Sequence, residues 1–204
     1  MPSEYGPYVD WPATTRYRLS GAPGELGLVQ DLLNTIEEGS AEPPDLLGSL
    51  ESAQEWADIV VERWRSIDDS GWTRTLPPLT EADRMSLIEF RTRLFDGLFG
   101  HPGAEERGGG EAGKARASLL TISHGRIEIT PAGDGWRYFE TALLLICYRA
   151  QQIGALRRLK TCKSEECDVV FYDRSANNSA VWHDVRVCGN RANVRAFRAR
   201  TRER

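Results

Sequence analysis

Apolar residues recur every three or four positions in several segments of this 204-residue chain, which is the period of a helix with one buried face. Residues 26–36 form the first such segment. A second is predicted to begin after Ser49 or Ser52, and a third after the capping sequence that starts at Thr80. Residues 140–156 are apolar on nearly every side, so we expect them to form the central helix.

Apolar and polar residues alternate in the middle of the chain, as they do in strands that bury one face. Residues 119–122 and 126–130 are predicted to pair as a hairpin, and residues 136–139 to add a third strand. The first twenty residues are rich in proline and aromatic side chains, so we expect an irregular arm or an edge strand there. Residues 101–113 contain five glycines and are predicted to be a mobile loop.

Three of the four cysteines and one of the three histidines lie close together near the C-terminus. They form two pairs, Cys162 with Cys167 and His183 with Cys188. Cysteine and histidine pairs at this spacing favour a zinc site, although unrelated buried thiols or a disulfide would also fit. Three sulfurs and one nitrogen fill a tetrahedron and leave no position open for substrate, so we predict one structural zinc ion and no catalytic one.

The charge of the chain is unevenly distributed, although its net value is only -4. Residues 155–204 hold twelve of the 26 basic side chains and six of the 30 acidic ones, so the acidic excess belongs to residues 1–154. This asymmetry suggests that the basic end contacts an anion and that the acidic body does not. The chain has no long apolar run and no recognisable signal sequence, so we expect a cytoplasmic protein without a membrane span.

Arginine dominates the basic end of the chain. If a helix follows Cys188, then Arg191, Arg195, Arg198 and Arg202 share one of its faces. Like charges at this spacing repel each other, and phosphate would relieve that repulsion. We therefore predict DNA contacts through these residues, with Arg186 and Arg174 as residues that could extend the patch. A solvated face, or docking of the helix on the acidic body or on an acidic partner, are the alternatives.

Several residues near the zinc ligands have predicted structural roles. Gly189 is expected to let the backbone pass close to the sulfurs, and Asn190 to cap the following helix. A stripe of the following helix is also predicted to pack against the zinc module; it consists of Asn190, Val194, Phe197 and Thr201. Asp173 and Ser175 are expected to brace the turn between the two ligand pairs.

Nothing in the sequence combines an acid, a base and a nucleophile, so we predict that the chain is not an enzyme and assign no catalytic residue. Cys147 is expected to be a core thiol. Asn34 and Arg91 are weaker candidates for binding a small-molecule effector near Trp56 and Trp64. Core packing and helix capping explain these four residues equally well.

The string Cys188, Gly189, Asn190, Arg191 and the two ligand pairs resemble the CGNR zinc-finger proteins of bacteria. In that family an N-terminal α/β domain, the ABATE domain, precedes a short zinc module; residues 32–36, 45–49 and 79–83 resemble segments of it. The resemblance implies a transcription regulator of stress responses that binds DNA. The third zinc ligand, usually cysteine in that family, is His183 here, and basic residues usual before Trp182 and at position 193 are absent.

Together these observations predict an α+β fold. A mainly helical, ABATE-like domain with a small antiparallel sheet would span residues 1–157, and a zinc-bound hairpin followed by an Arg-rich helix would span residues 158–204. The predicted function is DNA-binding transcription regulation, with an effector and a homodimer as further expectations. The alternatives are a zinc-braced protein-interaction module and a small-molecule-binding protein.

Overall fold

The computed structural model describes residues 9–37, 44–100, 117–164 and 167–202. The predicted loop at 101–113 lies outside these residues. The described chain begins with four helices, continues with a hairpin and the longest apolar helix, and ends with a second hairpin and a C-terminal helix. Their bounds are α1 Pro12–Arg16, α2 Leu26–Leu33, α3 Leu50–Ile67, α4 Glu81–Phe99, β1 Ser118–Ser123, β2 Arg126–Pro131, α5 Gly135–Gln152, β3 Leu159–Thr161, β4 Val170–Tyr172 and α6 Asn190–Arg202.

The helix starts at α3 and α4 confirm the capping predictions. The hydroxyl of Ser49 accepts a hydrogen bond from the backbone N–H of Ser52 at 3.1 Å. At α4 the hydroxyl of Thr80 accepts from the N–H of Asp83 at 3.2 Å, and the Asp83 carboxylate accepts from the N–H of Thr80 at 3.0 Å. Each pair satisfies two groups that a helix start leaves without partners.

Helix α5 lies at the centre of the aromatic core. Phe139 is fully buried, and three tryptophan rings meet its ring edge to face. The centroid distances are 5.3 Å to Trp136, 5.9 Å to Trp64 and 6.4 Å to Trp56. Cys147 lies on the same helix, and burial raises the pKa of its thiol to about 12. The prediction that Cys147 is a core thiol is therefore confirmed.

The carboxyl side chain of Asp31 is fully buried beside this core. Asp31 of α2 accepts a hydrogen bond from the N–H of Thr14 at 2.7 Å and another from the indole of Trp56 at 2.9 Å. These bonds connect α1, α2 and α3. Burial raises the pKa of Asp31 to about 6, although the two hydrogen bonds oppose that shift.

Two sequence predictions about local structure are wrong. Residues 136–139 form the first turn of α5 and not a third strand. A four-residue window fits both periods, and the longer spacing of Trp136, Phe139 and Leu143, all buried, is helical. The chain before α2 forms the short helix Pro12–Arg16 instead of an arm or edge strand, because Trp11 and Ala13 are buried there.

Both hairpins are antiparallel and two-stranded. The turn between β1 and β2 consists of His124 and Gly125, both with positive φ (49° and 75°), which is the geometry that matches strand twist in a two-residue turn. Strands β3 and β4 pair Leu159 with Tyr172. The predicted fold class is confirmed: a helical N-terminal region with small antiparallel sheets, then a hairpin and a helix.

Strand β4 is also connected to the N-terminal helices. The buried side chain of Asn34 donates to the carbonyl of Val170 and accepts from its N–H, both at 2.8 Å. Gln30 donates to the same carbonyl at 3.1 Å. The expected boundary after residue 157 is therefore crossed by buried hydrogen bonds.

A search of the described helices for one long and apolar enough to cross a membrane found none.

Candidate metal centre

The β3–β4 hairpin positions the first two zinc ligands. Cys162 directly follows β3, and its N–H donates to the carbonyl of Val169 at 3.0 Å, which extends the hairpin by one bond. The N–H of Cys167 donates to the carbonyl of Ser164, also at 3.0 Å, and so closes the loop. Both sulfurs are thereby held at the end of the hairpin.

The other two ligands come from a segment that folds back against this loop. The N–H of Lys163 donates to the carbonyl of Val181 at 2.9 Å, which holds the chain just before His183. Asp184 then caps a single π-helical turn, Val185–Gly189: its carboxylate accepts from the N–H groups of Arg186 and Val187 at 2.7 and 3.2 Å. This turn carries Cys188 and runs directly into α6.

The predicted role of Asn190 as a helix cap is therefore wrong. The helical turn is capped by Asp184, six residues earlier than expected, and Asn190 already has helical backbone angles. Asp184 was missed because the sequence before Cys188 shows no clear helical period. Asp184, four residues before Cys188, is nevertheless of a residue type that is preferred at the start of a helix. Gly189 is buried against Trp182 and Val185, and an added Cβ would lie 3.3 and 3.2 Å from their nearest atoms.

The four predicted ligands meet at one point. One ligand atom from each of Cys162, Cys167, His183 and Cys188 lies within 4.8 Å of all the others. The His183 Nδ1 atom lies 3.2 Å from the Cys167 sulfur and 3.7 Å from the Cys188 sulfur. Ligands of a tetrahedral zinc ion with bonds of about 2.0–2.3 Å are separated by about 3.5–3.8 Å, so the cluster fits a single zinc ion.

The protonation of the cluster also fits a cation. A hydrogen bond from Cys167 lowers the pKa of Cys162 far below that of a free thiol. Burial, together with the neighbouring Cys162 thiolate, raises the pKa of Cys188. Three thiolates cannot coexist in so small a buried volume without positive charge, which a dication supplies. When zinc binds, it fixes the hairpin, His183 and the turn of Cys188 in one arrangement.

A second polar group braces the loop between the ligand pairs. The carboxylate of Asp173 accepts hydrogen bonds from Lys160 Nζ at 2.7 Å and from the N–H groups of Ser175 and Ala180 at 2.8 Å. Burial alone would raise the pKa of Asp173, but these bonds outweigh it and hold the pKa well below its ordinary value. The predicted bracing by Asp173 is confirmed, and Lys160 is a partner that the sequence did not reveal.

The arginines of the C-terminal region converge on one groove. Arg186, Arg191, Arg195 and Arg198 are all exposed and line a groove of about 720 Å³ beside the zinc site. Asn190, Val187 and Val194 form the rest of its wall. Asn190 and Val194 are thus exposed in the groove and do not pack against the zinc module as expected. The side chain of Arg202 lies outside the described part of the chain.

The two candidate effector residues are not brought together in one pocket. Asn34 is buried against Val170. Arg91 forms a bidentate pair with Asp45 at 2.7 and 2.8 Å and donates to the hydroxyl of Thr35 at 2.7 Å. This pair lies in the wall of a cavity of about 360 Å³, which Asp96 and Asp168 also line. Trp56 and Trp64 belong to the aromatic core.

The hairpin, the turn and the four ligands define a structural zinc module. In agreement with this, residues 158–201 match the family described as the CGNR zinc finger. The same comparison does not detect the ABATE domain expected in residues 1–157. No curated protein matches the chain.

Proposed function

We propose that this protein is a transcription regulator that binds DNA through the groove lined by Arg186, Arg191, Arg195 and Arg198. The single observation that carries the proposal is the convergence of these four exposed guanidinium groups beside a structural zinc site. Guanidinium groups match phosphate oxygens in geometry as well as in charge. The proposal assigns no catalytic role to the chain.

The shape of α6 supports a groove-binding role. At about 1.5 Å per residue its 13 residues span about 20 Å, and a helix of this width fits the major groove of DNA. Val187 and Val194 lie between the arginines and would face base edges if the arginines contact the backbone. The acidic excess of the N-terminal residues disfavours contact of the body with the same duplex.

Zinc acts in this proposal as a brace. The ion would fix the turn of Cys188, from which α6 continues without a break, and so would set the direction of the helix relative to the hairpin. Cys188 and Arg191 are three residues apart, so the first arginine of the helix is within one turn of a metal ligand.

The test is the salt dependence of binding to duplex DNA. We compare the zinc-loaded wild type with a variant carrying Arg191→Ala, Arg195→Ala and Arg198→Ala. Each lost phosphate contact lowers the slope of log K against log salt by about 0.9, so the expected decrease is about 2.7. A matched control carries Arg65→Ala, Arg126→Ala and Arg137→Ala, three exposed arginines outside the groove.

The control has the same net charge as the groove variant and should keep the wild-type slope. An equal decrease of the slope in both variants would mean that only the total charge matters, and it would contradict DNA binding through the groove. Failure of the wild type to bind duplex DNA at low salt would favour the alternative function, a zinc-braced module that docks on an acidic protein.

We further propose that residues 1–157 are a divergent ABATE domain that senses a small polar effector. The observation that favours this role is the cavity next to the Arg91–Asp45 pair, into which several polar side chains converge. Asp168, which follows Cys167, lines the same cavity, so an occupant would touch both the body and the zinc module. The test is Thr92→Trp, which would fill the cavity from its exposed rim. This variant should abolish the rise in melting temperature that an effector causes, and its zinc content should stay unchanged.

A further inference from the structure

The β1–β2 hairpin exposes the most apolar surface of the described chain. Leu120 is 70% exposed, Ile122 81% and Ile127 74%. Within the described residues, the base of the hairpin is anchored, because Pro131 is buried and Ile129 packs against the main core, whereas Leu120, Ile122 and Ile127 are exposed. The tip, with its His124–Gly125 turn, therefore forms an arm. Large aliphatic side chains at such exposure are uncommon in a cluster on a monomeric surface.

The pairing register separates the arm into two different faces. Leu120 is opposite Ile129 and Ile122 is opposite Ile127, so these four side chains share one face, which we call the aliphatic face. The other face presents Thr121 opposite Glu128 and Leu119 opposite Thr130, and Arg126 lies on it as well. All charged residues of the two strands thus lie on the second face, and the aliphatic face carries none.

Segments of the chain outside the described residues offer few candidates to cover the aliphatic face. Residues 38–43 and 101–116 contain no valine, leucine, isoleucine, methionine or aromatic residue. Residues 165–166 and 203–204 are charged. Only residues 1–8, with Met1, Tyr5 and Tyr8, contain larger apolar side chains. The face also lacks any group that would bind phosphate or an ionic partner.

We propose that the aliphatic face binds the aliphatic face of a second copy of this chain. The face is aliphatic and carries no charge, so the same face of a second copy matches it in chemistry, and a twofold contact buries both at once. The contact area is small, since the three exposed side chains Leu120, Ile122 and Ile127 provide less than a standard interface, and the dimer should therefore be of micromolar strength and depend on concentration. This inference does not depend on DNA binding.

The test is sedimentation equilibrium of the zinc-loaded full chain from low-micromolar to near-millimolar concentration. The weight-average mass of the wild type should rise from one chain towards two. Ile122→Glu places a charge on the aliphatic face, opposite Ile127, and should weaken dimerisation at least about tenfold. Leu119→Glu is the matched control, since Leu119 is 58% exposed on the opposite face of the same arm, and it should dimerise like the wild type.

A second measurement keeps the test independent of variant stability. Ile122→Cys, treated with a short bis-maleimide at a concentration where the wild type dimerises, should give cross-linked dimers, and Leu119→Cys should not. A wild type that stays monomeric at every concentration would overturn the proposal, as expected if residues 1–8 cover the face. Equal effects of the two glutamate variants, or open-ended aggregation relieved by both, would overturn it as well.

Discussion

The N-terminal body and the C-terminal zinc module are stabilised by different means. The body has a large core in which Phe139 is enclosed by three tryptophans and α5 is buried along most of its length. Leu159, Val170 and Tyr172 of the module belong to that core as well. The separate core around the zinc site is small, and three of its residues are zinc ligands. The residues of this small core are Tyr17, Cys162, Cys167, Val169 and Cys188.

This difference shows how the metal substitutes for apolar burial. A segment of fewer than 50 residues rarely buries enough surface to fold alone, and a structural metal is one of the usual remedies. The module supplements its metal with contacts to the body, because Tyr17 belongs to its core and Asn34 holds Val170. The body should thus tolerate metal loss, whereas the module should not.

Loss of one zinc ligand is the largest expected effect. Cys188→Ser should abolish stoichiometric zinc binding and unfold the module, because structural zinc contributes on the order of 10 kcal/mol to the folding of such modules. The aromatic core should remain folded. Metal analysis gives the zinc content per chain, and limited proteolysis mapped by mass spectrometry should show new cleavage only after about residue 158.

Cys147→Ala is the control for this experiment, because Cys147 is a buried cysteine outside the zinc site. That variant should destabilise the body through a small cavity and keep one zinc per chain. The contrast between the two regions would be wrong if the Cys188→Ser protein retained one tightly bound zinc. It would also be wrong if loss of zinc unfolded the aromatic core together with the module.

Breaking the connection between the two regions should have the next largest effect. Asn34→Ala leaves the buried N–H of Val170 without its partner, while the Val170 carbonyl keeps the bond from Gln30. The unsatisfied backbone group and the lost contacts should lower the free energy of unfolding, measured with urea, by about 2–4 kcal/mol. Asn177→Ala, at an exposed position of the module, should change the free energy of unfolding by less than about 0.5 kcal/mol.

This variant also distinguishes a structural role of Asn34 from effector binding. A structural role predicts lower stability without any added ligand, together with weaker zinc retention, because β4 is held by Asn34. An Asn34→Ala protein of wild-type stability would support the original assignment of Asn34 to a binding site.

The two regions also differ in how well the sequence predicts them. The zinc ligands follow from residue type and spacing alone, since few side chains bind zinc and the chain must bring them together. The caps of α3 and α4 are equally local, because Ser49 and Thr80 bond to residues three positions away. The first turn of α5 was misassigned because Trp136 to Phe139 fit two periods, and only packing against Trp64 decides between them.

Long-range polar contacts were beyond sequence reasoning. Asn34 meets Val170 across 136 positions and Arg91 meets Asp45 across 46. Neither pair has a spacing rule, so the sequence offers Asn34 and Arg91 as candidates for effector binding without revealing their structural partners. Helical periodicity is a local property, so the sequence predicts that the arginines of α6 share a face. The exposure of Val194 depends on how α6 lies against the zinc module, which no local pattern reveals.

The buried carboxyl of Asp31 should make the stability of the body depend on pH. Its pKa in the folded state is about 6 against an ordinary value of 3.8, so the folded chain binds the proton more tightly than the unfolded chain does. The Asp31 contribution to the free energy of unfolding should therefore fall by about 2–3 kcal/mol as the pH rises from about 4 to about 6, and stay constant above.

Asp31→Asn isolates this contribution, because an amide does not titrate. Urea unfolding of both proteins is followed by tryptophan fluorescence over the same pH range, and the wild-type value minus the variant value is plotted. Loss of zinc at low pH affects both proteins and cancels in the difference. A difference that rises with pH, or that stays flat, would contradict a raised pKa for Asp31.

The smallest expected effect is a gain in stability of the body at Gly97, within α4. A Cβ added there meets no described atom within 4 Å, so Gly97→Ala should stabilise the body by about 0.5–1 kcal/mol through helix propensity alone.

Gly100, three residues on, has a φ of 65° and ends the same helix. Gly100→Ala should be destabilising by about 1 kcal/mol, because an alanine resists the left-handed conformation. Thermal unfolding followed by tryptophan fluorescence measures both changes, and zinc affinity measured by chelator competition should be the same in both variants. If either glycine substitution changed the zinc affinity, the body and the module would be coupled more tightly than the hydrogen bonds of Asn34 and Gln30 to Val170 imply.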